Sequence, residues 1–153
     1  MTRLPLIVLA ASGSAALLAG AFLFQVLGYA PCQMCLWQRW PHAVAIAIGL
    51  IALATPRIRA LLAWAGAAAA AITAGLGFFH TGVEKGWWEG PSSCSGGGLE
   101  AVDGADLLST DIAPIVMCSD VVWSLFGLSM ASYNGLISLA LALIWIIAAR
   151  RPD

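Results

Sequence analysis

The chain alternates long apolar stretches with shorter polar ones. Four stretches approach the roughly 20 apolar residues that a helix needs to cross the hydrocarbon core of a bilayer; they cover residues 4–28, 36–54, 60–82 and 128–149. The chain lacks the alternating ten-residue segments of a membrane barrel, and backbone polar groups cannot stay unpaired in lipid. The pattern predicts an all-α membrane protein, a four-transmembrane-helix bundle with one long loop at about 83–127, forming a single domain over residues 1–153.

Composition agrees with this class. Hydrophobic residues make up 61% of the chain and charged residues 10%, and the mean hydropathy is +0.89. These values exclude an ordinary soluble surface. We expect a lipid bilayer around the helices and no nucleic-acid partner.

Charge predicts how the bundle is oriented. With four crossings, five arginines fall on one side: Arg3, Arg57, Arg59, Arg150 and Arg151. Short positive segments mark the cytoplasmic side, so both termini are predicted to be cytoplasmic. Seven of the eight acids lie in the long segment on the other side: Glu84, Glu89, Glu100, Asp103, Asp106, Asp111 and Asp120. The cysteines also fall on that side, where an oxidising exterior or periplasm preserves disulfides.

Two features of the spans need separate interpretation. A cleaved signal peptide is the main alternative for the N-terminus, because Arg3 precedes an apolar run with small residues at 19–21. The run continues to Val26, which is longer than the roughly 7 to 15 residues of a signal core, so we interpret it as a span. Small residues at four-residue spacing predict close helix packing: Ser12, Ala16 and Gly20, and Ala63, Ala67, Ala71 and Gly75.

The long loop has two parts. The first is turn-rich and contains Trp87 and Trp88, which suit a membrane interface. The second predicts a short amphipathic helix interrupted by Pro114. Its apolar side is Leu107, Leu108, Ile112, Ile115 and Val116, and its polar side is Asp103, Asp106 and Asp111. Loop composition alone favours a loop held by one structural disulfide over a mobile loop that shuttles disulfides through Cys94 and Cys118.

The Cys32-Gln33-Met34-Cys35 segment favours redox chemistry instead. A thiolate attacks a disulfide, and a helix N-terminus or a nearby cation lowers the pKa of a cysteine. Cys35 lies near the predicted start of the second helix, and Arg39 follows one turn later on the same face. Pro41 either occupies the first turn of that helix or kinks a helix that began earlier. Arg39 could instead extend to the lipid headgroups, although basic residues are otherwise scarce on this side.

Metal binding is not expected from the cysteine spacing. A structural zinc site usually takes two close pairs, whereas 23 residues separate Cys94 from Cys118. His42 and His80 do not complete a ligand set in the sequence. His80, near the outer end of the third span, is kept as a minor candidate for a quinone site.

At this point the motifs match a family. Residues 31–39 resemble the C-x-x-C-x-x-x-R signature of the disulfide bond formation protein B (DsbB) family. Residues 79–84, 88–94 and 118–134 are similar as well, so the resemblance covers nearly the whole chain. Gln38 departs from the pattern, because some members have an acid before the arginine.

The resemblance implies a multi-pass protein of the bacterial inner membrane that reoxidises a periplasmic DsbA-like oxidase with a thioredoxin fold. By this resemblance, Cys94 forms a mixed disulfide with the partner, and Cys118 resolves it or pairs transiently with Cys32. Cys35 then passes electrons to ubiquinone or menaquinone from the membrane pool, with Arg39 supporting the charge.

Three other classes of membrane protein compete with this family as explanations of the sequence. A vitamin K epoxide reductase-like enzyme places its C-x-x-C after its loop cysteines, the reverse of the order here. A membrane scaffold with structural disulfides would tolerate replacement of Cys32 and Cys35. A transporter would bury polar residues at the midplane, and the predicted spans contain almost none.

Overall fold

The computed structural model describes residues 2–94 and 116–153. It contains four long helices: α1 (Arg3–Val26), α2 (Gln33–Ala54), α3 (Arg59–Glu84) and α4 (Met130–Arg150). Each covers one predicted span to within three residues at either end. The amphipathic helix predicted in the second part of the loop lies outside the described residues, apart from Val116.

Three of the helical segments are long and apolar enough to cross a membrane: Arg3–Val26, Pro56–Glu84 and Met130–Arg150. The second of these segments, Pro56–Glu84, includes the short 3-10 turn Pro56–Ile58 that precedes α3. Helix α2 has 22 residues, but its first ten include Gln33, Gln38, Arg39 and His42. These polar side chains explain why α2 is less apolar than its neighbours.

Helix α3 packs most extensively against α4. A Cβ atom added to Gly77 would lie 2.7 Å from the backbone nitrogen of Gly135, so the two backbones touch at this point. Further along, Gly66 faces the fully buried ring of Trp145. Small residues therefore permit the α3–α4 contact.

The small-residue pattern predicted in the sequence is only partly correct. Ala63 and Ala67 are buried, whereas Ala71 and Gly75 are exposed. An α-helix has about 3.6 residues per turn, so residues at a strict four-residue spacing move gradually around its surface. The buried face of α3 instead follows mixed spacings of three and four residues: Ala63, Gly66, Ala67, Ala70, Thr73, Ala74, Gly77 and His80. In α1, Ser12 and Ala16 are also exposed.

A small β-hairpin precedes α4 and was not predicted. Its strands, β1 (Ser124–Leu125) and β2 (Leu128–Ser129), pair antiparallel. Phe126 and Gly127 form the turn with φ of 50° and 78°, the left-handed conformations that a tight hairpin turn requires. Ser129 then caps α4 by accepting a hydrogen bond from the backbone of Ser132, so the helix begins at Met130 rather than at residue 128.

The chain ends meet at one end of the bundle. The Arg3 guanidinium lies 2.7 Å from the Asp153 carboxylate, and Arg59 at the start of α3 lies 3.9 Å from the same side chain. All four cysteines lie at the opposite end, where α1 and α3 finish and α2 and α4 begin. The arrangement separates the arginine-rich end from the cysteine end.

Candidate active site

Cys32 and Cys35 lie at the first turn of α2. Cys32 is the N-cap residue, with φ −74° and ψ 170°, and its sulfur accepts a hydrogen bond from the backbone nitrogen of Cys35 at 3.3 Å. The two sulfurs are 2.9 Å apart, with Cys32 buried and Cys35 half-buried. Because the helix begins at Gln33, Pro41 lies inside it rather than in its first turn.

The geometry favours a thiolate on Cys32. Hydrogen bonding from Cys35 lowers the pKa of Cys32 to about 4; burial opposes this shift, and the His80 ring reinforces it. The sequence suggested that Arg39 would activate Cys35. The structure instead places the acidic sulfur at the helix cap.

This pKa gives a testable pH dependence. Because the pKa of Cys32 is lowered, its thiolate should persist as the pH falls and disappear only as the pH passes through about 4. In a reduced Cys94→Ala, Cys118→Ala protein, we expect thiolate ultraviolet absorbance at about pH 6, where an ordinary cysteine is protonated. Adding Cys32→Ser should abolish it. Absorbance that appears only above about pH 8 would contradict the assignment.

Arg39 turns toward α1 rather than toward Cys35. Its guanidinium donates to the Gln25 side chain at 2.7 Å and to the Ala21 carbonyl at 3.3 Å, and it lies over the Phe22 ring. Among the described residues, no hydrogen bond or ion pair joins Arg39 to Cys35. The Arg39 Nε atom is buried and has no hydrogen-bond partner in the described part of the chain.

Cys94 and Cys118 form a disulfide that packs against the C-x-x-C pair. Both are buried, and they cluster with Cys32, Met34 and Val83. The backbone nitrogen of Cys118 donates to the Cys94 carbonyl at 3.2 Å. The two cysteine pairs, far apart in sequence, therefore meet at one site.

His80 lies between the two pairs. Its Nε2 atom is 3.6 Å from the Cys32 sulfur and 3.1 Å from the Cys118 carbonyl oxygen. The Glu84 carboxylate is 4.0 Å from the same nitrogen and accepts a hydrogen bond from Ser129. The sequence indicated His80 only as a minor candidate and did not indicate Glu84, although their spacing of one helical turn was a usable signal.

A buried polar network continues from His80 into the bundle. Gln38 contacts His80 Nδ1 at 3.0 Å and accepts a hydrogen bond from Asn134 at 2.6 Å. Asn134 contacts His42 at 2.9 Å and also bonds Thr73 and Ser138. The statement that the spans contain almost no buried polar residues was therefore wrong. The sequence does not reveal this network, because its members come from three helices.

A cavity of about 340 Å³ opens beside these groups. Most of its lining is apolar, from α1, α4 and the segment before the hairpin, including Leu17, Phe24, Val122, Trp123 and Ile137. Its polar lining includes Cys35, Gln38, Arg39, His42, His80 and Asn134. A ligand with a large apolar body and a few polar atoms suits such a site.

Comparison with known families agrees with this geometry. The family model described as "Disulfide bond formation protein DsbB" matches residues 3–148. The chain belongs to the DsbB family. Membership confirms the resemblance and implies a membrane protein-disulfide oxidoreductase that works with DsbA. No curated protein and no solved structure matched the chain.

This DsbB family member also brings three metal-ligating atoms together. The side-chain donors of Cys32, Cys35 and His80 lie within 4.8 Å of one another, a grouping that the sequence did not assemble. Two sulfurs and one imidazole nitrogen are donors that zinc accepts. However, His80 Nε2 already faces the Cys118 carbonyl at 3.1 Å, so a metal would have to displace that contact.

Proposed function

We propose that this DsbB family member oxidises a periplasmic DsbA-like dithiol and passes the electrons through its two cysteine pairs to ubiquinone or menaquinone. The observation that carries this proposal is the contact between the pairs: the buried Cys94–Cys118 disulfide packs against Cys32. Cys35, beside Cys32, lines the apolar cavity. The order of contacts therefore runs from the loop disulfide to the C-x-x-C pair and then to the cavity.

Each exchange in this route balances. A partner thiolate attacks Cys94 and releases the Cys118 thiolate, and the partner's second thiolate then closes the partner disulfide. The Cys118 thiolate next attacks Cys32 of a Cys32–Cys35 disulfide, and Cys94 resolves that bond. The result is a Cys94–Cys118 disulfide and reduced Cys32 and Cys35, which is the combination in the structure.

The cavity suits a quinone. A quinone pairs a hydrophobic tail with a polar ring and accepts two electrons and two protons when bound. The apolar lining from α1 and α4 would hold the tail, and the half-buried Cys35 sulfur would face the ring. Arg39 lines the same cavity, and its buried Nε atom has no partner in the described residues. A buried donor without a partner costs free energy. A quinone ring oxygen that accepts from this N–H would remove that cost.

The proposed topology has four spans in one domain, with both termini in the cytoplasm and the cysteines in the periplasm. Helix α2 spans despite its polar start, because Gln38 and His42 are buried against α3 and α4 rather than facing lipid. The arginines at the chain ends and at Arg59 support a cytoplasmic assignment for that end. An oxidising periplasm at the other end suits the disulfide.

The test is a coupled assay with the purified protein in detergent, a reduced DsbA-like partner and ubiquinone. We expect quinone to be reduced in step with partner oxidation, one for one, because each disulfide supplies two electrons. Partner oxidation without quinone reduction would contradict the acceptor. If neither occurs while the Cys94–Cys118 disulfide stays intact, the cysteines are structural and the scaffold interpretation is favoured.

The same assay locates the quinone. Arg39→Lys removes the planar guanidinium and its Nε donor while keeping the charge, so we expect a higher KM for quinone and an unchanged KM for the partner. Arg57→Lys is the matched control, because Arg57 is exposed at the opposite end of the bundle. Equal effects of the two substitutions on the quinone KM would contradict the site.

A further inference from the structure

The direction of the hydrogen bonds around Gln38 is fixed by a backbone carbonyl. Gln38 Nε2 lies 3.1 Å from the Met34 carbonyl oxygen, which accepts hydrogen bonds and cannot donate them. That end of the side chain is therefore the amide nitrogen. At the other end, Oε1 accepts from the Asn134 amide nitrogen at 2.6 Å. The two contacts agree on one orientation of the carboxamide.

This orientation constrains the His80 ring. The same Gln38 nitrogen lies 3.0 Å from His80 Nδ1, so Nδ1 must accept a hydrogen and carries none itself. On the other side of the ring, Nε2 faces the Cys118 carbonyl at 3.1 Å, which requires an N–H at Nε2. Both contacts are buried, since His80 is 3% exposed and Gln38 6% exposed.

We propose that Gln38 is a positioning residue that holds His80 as the neutral imidazole with its proton on Nε2. That proton points at the Cys118 carbonyl and toward the Cys32 sulfur 3.6 Å away. His80 thus presents an N–H donor at the junction of the two cysteine pairs. The proposal deepens the proposed function and rests on it only for the kinetic consequence, since the position of a ring proton is a separate measurement.

Reversing the arrangement would disturb several contacts at once. With the Gln38 carboxamide turned over, its oxygen would face the Met34 carbonyl and its nitrogen would face the Asn134 amide nitrogen. Asn134 would then have to turn as well, although its nitrogen now donates to the Thr73 hydroxyl. Thr73 cannot donate in return, because its own proton goes to the Gln38 backbone carbonyl. The network therefore opposes a proton on His80 Nδ1.

Negative groups near His80 favour the protonated ring over the neutral one. The Cys32 thiolate faces it from the start of α2, and the Glu84 carboxylate lies 4.0 Å away on α3. Cys35 also lies near the ring, as the thiol that hydrogen-bonds to the Cys32 thiolate. Anions at these distances favour an imidazolium. An imidazolium needs a proton on Nδ1, which the Gln38 nitrogen cannot accept. Gln38 is the group that decides between the two forms.

The experiment is a two-bond proton–nitrogen correlation spectrum of the full-length protein labelled with ¹⁵N-histidine. The chain has two histidines, and loss of one set of signals in His80→Asn assigns the His80 ring. We expect the neutral Nε2–H pattern for His80 in the wild type. An Nδ1–H pattern or an imidazolium pattern in the wild type would overturn the proposal without any need for a variant.

Substitutions test whether Gln38 is the cause. Gln38→Glu places an acceptor beside Nδ1, so His80 should gain a proton there. Gln38→Met keeps the length of the side chain but removes both hydrogen-bonding groups, and the Nε2–H pattern should be lost or mixed. Gln33→Met, at an exposed glutamine in the first turn of the same helix, is the control and should leave the pattern intact. An unchanged His80 pattern in both Gln38 variants would overturn the assignment.

The kinetic consequence is measured in the coupled assay. We expect Gln38→Met to lower the rate of quinone reduction by about tenfold, the lower end of the loss seen when a supporting hydrogen bond to a metal-ligating histidine is removed. The spectra report the ring alone. Suppose that the wild type shows the Nε2–H pattern, that the Gln38 variants lose it, and that the wild type fails to reduce quinone. That result would contradict the proposed function and still support the role of Gln38.

Discussion

Cys35→Ser is expected to stop steady-state quinone reduction while leaving one round of partner oxidation intact. The Cys94–Cys118 disulfide is still present in this variant and can accept one pair of electrons. Without the Cys35 thiol, no Cys32–Cys35 disulfide forms to receive them in turn. Rapid mixing with excess reduced partner should therefore give a burst of one equivalent of oxidised partner per protein, with no further turnover.

Cys94→Ser is the matched variant. It should abolish the burst as well as turnover. Both substitutions replace one sulfur by oxygen, so a difference in burst size reports the order of the two pairs. Circular dichroism of both variants checks that the helices are retained. Sustained turnover in Cys35→Ser would contradict the electron route, and a full burst in Cys94→Ser would show that the partner enters at another cysteine.

Gly77→Ala is expected to destabilise the bundle by about 3 kcal/mol, at the upper end of the usual cost of overpacking. The added Cβ would lie 2.7 Å from the Gly135 nitrogen and 2.8 Å from its Cα atom, and backbone atoms cannot move aside as a flexible side chain can. Helices α3 and α4 would have to separate at their closest point. Unfolding in mixed micelles, followed by loss of helical circular dichroism, measures the change.

Gly75→Ala is the control for this effect. Gly75 is on the same helix two residues away, is exposed, and has nothing within 4 Å of the position of an added Cβ. Alanine is the better helix former by roughly 1 kcal/mol, so this variant should be as stable as the wild type or slightly more stable. Equal destabilisation by both substitutions would mean that the α3–α4 contact is not the cause.

The sequence predicted the helices well, because hydrophobic length is a local property. Each of the four apolar stretches coincides with one of the helices α1 to α4 to within three residues at each end. Of the described helical segments, three are long and apolar enough to cross a membrane. The sequence did not predict which face of α3 would be buried. The four-residue repeat selected Gly75, whereas the neighbouring glycine that packs against the backbone of α4 is Gly77. Which residues face a partner depends on the roughly 3.6-residue helical turn and on the position of the partner helix.

The cysteines were found for the same local reason, since C-x-x-C is a short motif. The position of His80 between the two cysteine pairs was not predicted, because its contacts join α3 to the cap of α2 and to Cys118. Gln38 and Asn134 are separated by 96 positions, and no pattern along the chain connects them. The hairpin turn at Phe126 and Gly127 was also missed, because Phe126 adopts a positive φ that favours glycine or asparagine.

The polar network has a consequence for how the protein is made. Gln38 and His42 are on α2, whereas their partners Thr73, His80 and Asn134 are on α3 and α4, which leave the ribosome later. Until α4 is synthesised, the α2 side chains lack the groups that satisfy them in lipid, where unpaired polar atoms are expensive. If α2 spans as proposed, it should therefore stay at the insertion machinery or at the bilayer surface until α3 and α4 arrive. Membrane insertion of this bundle would then depend on assembly of its helices rather than on each span in turn.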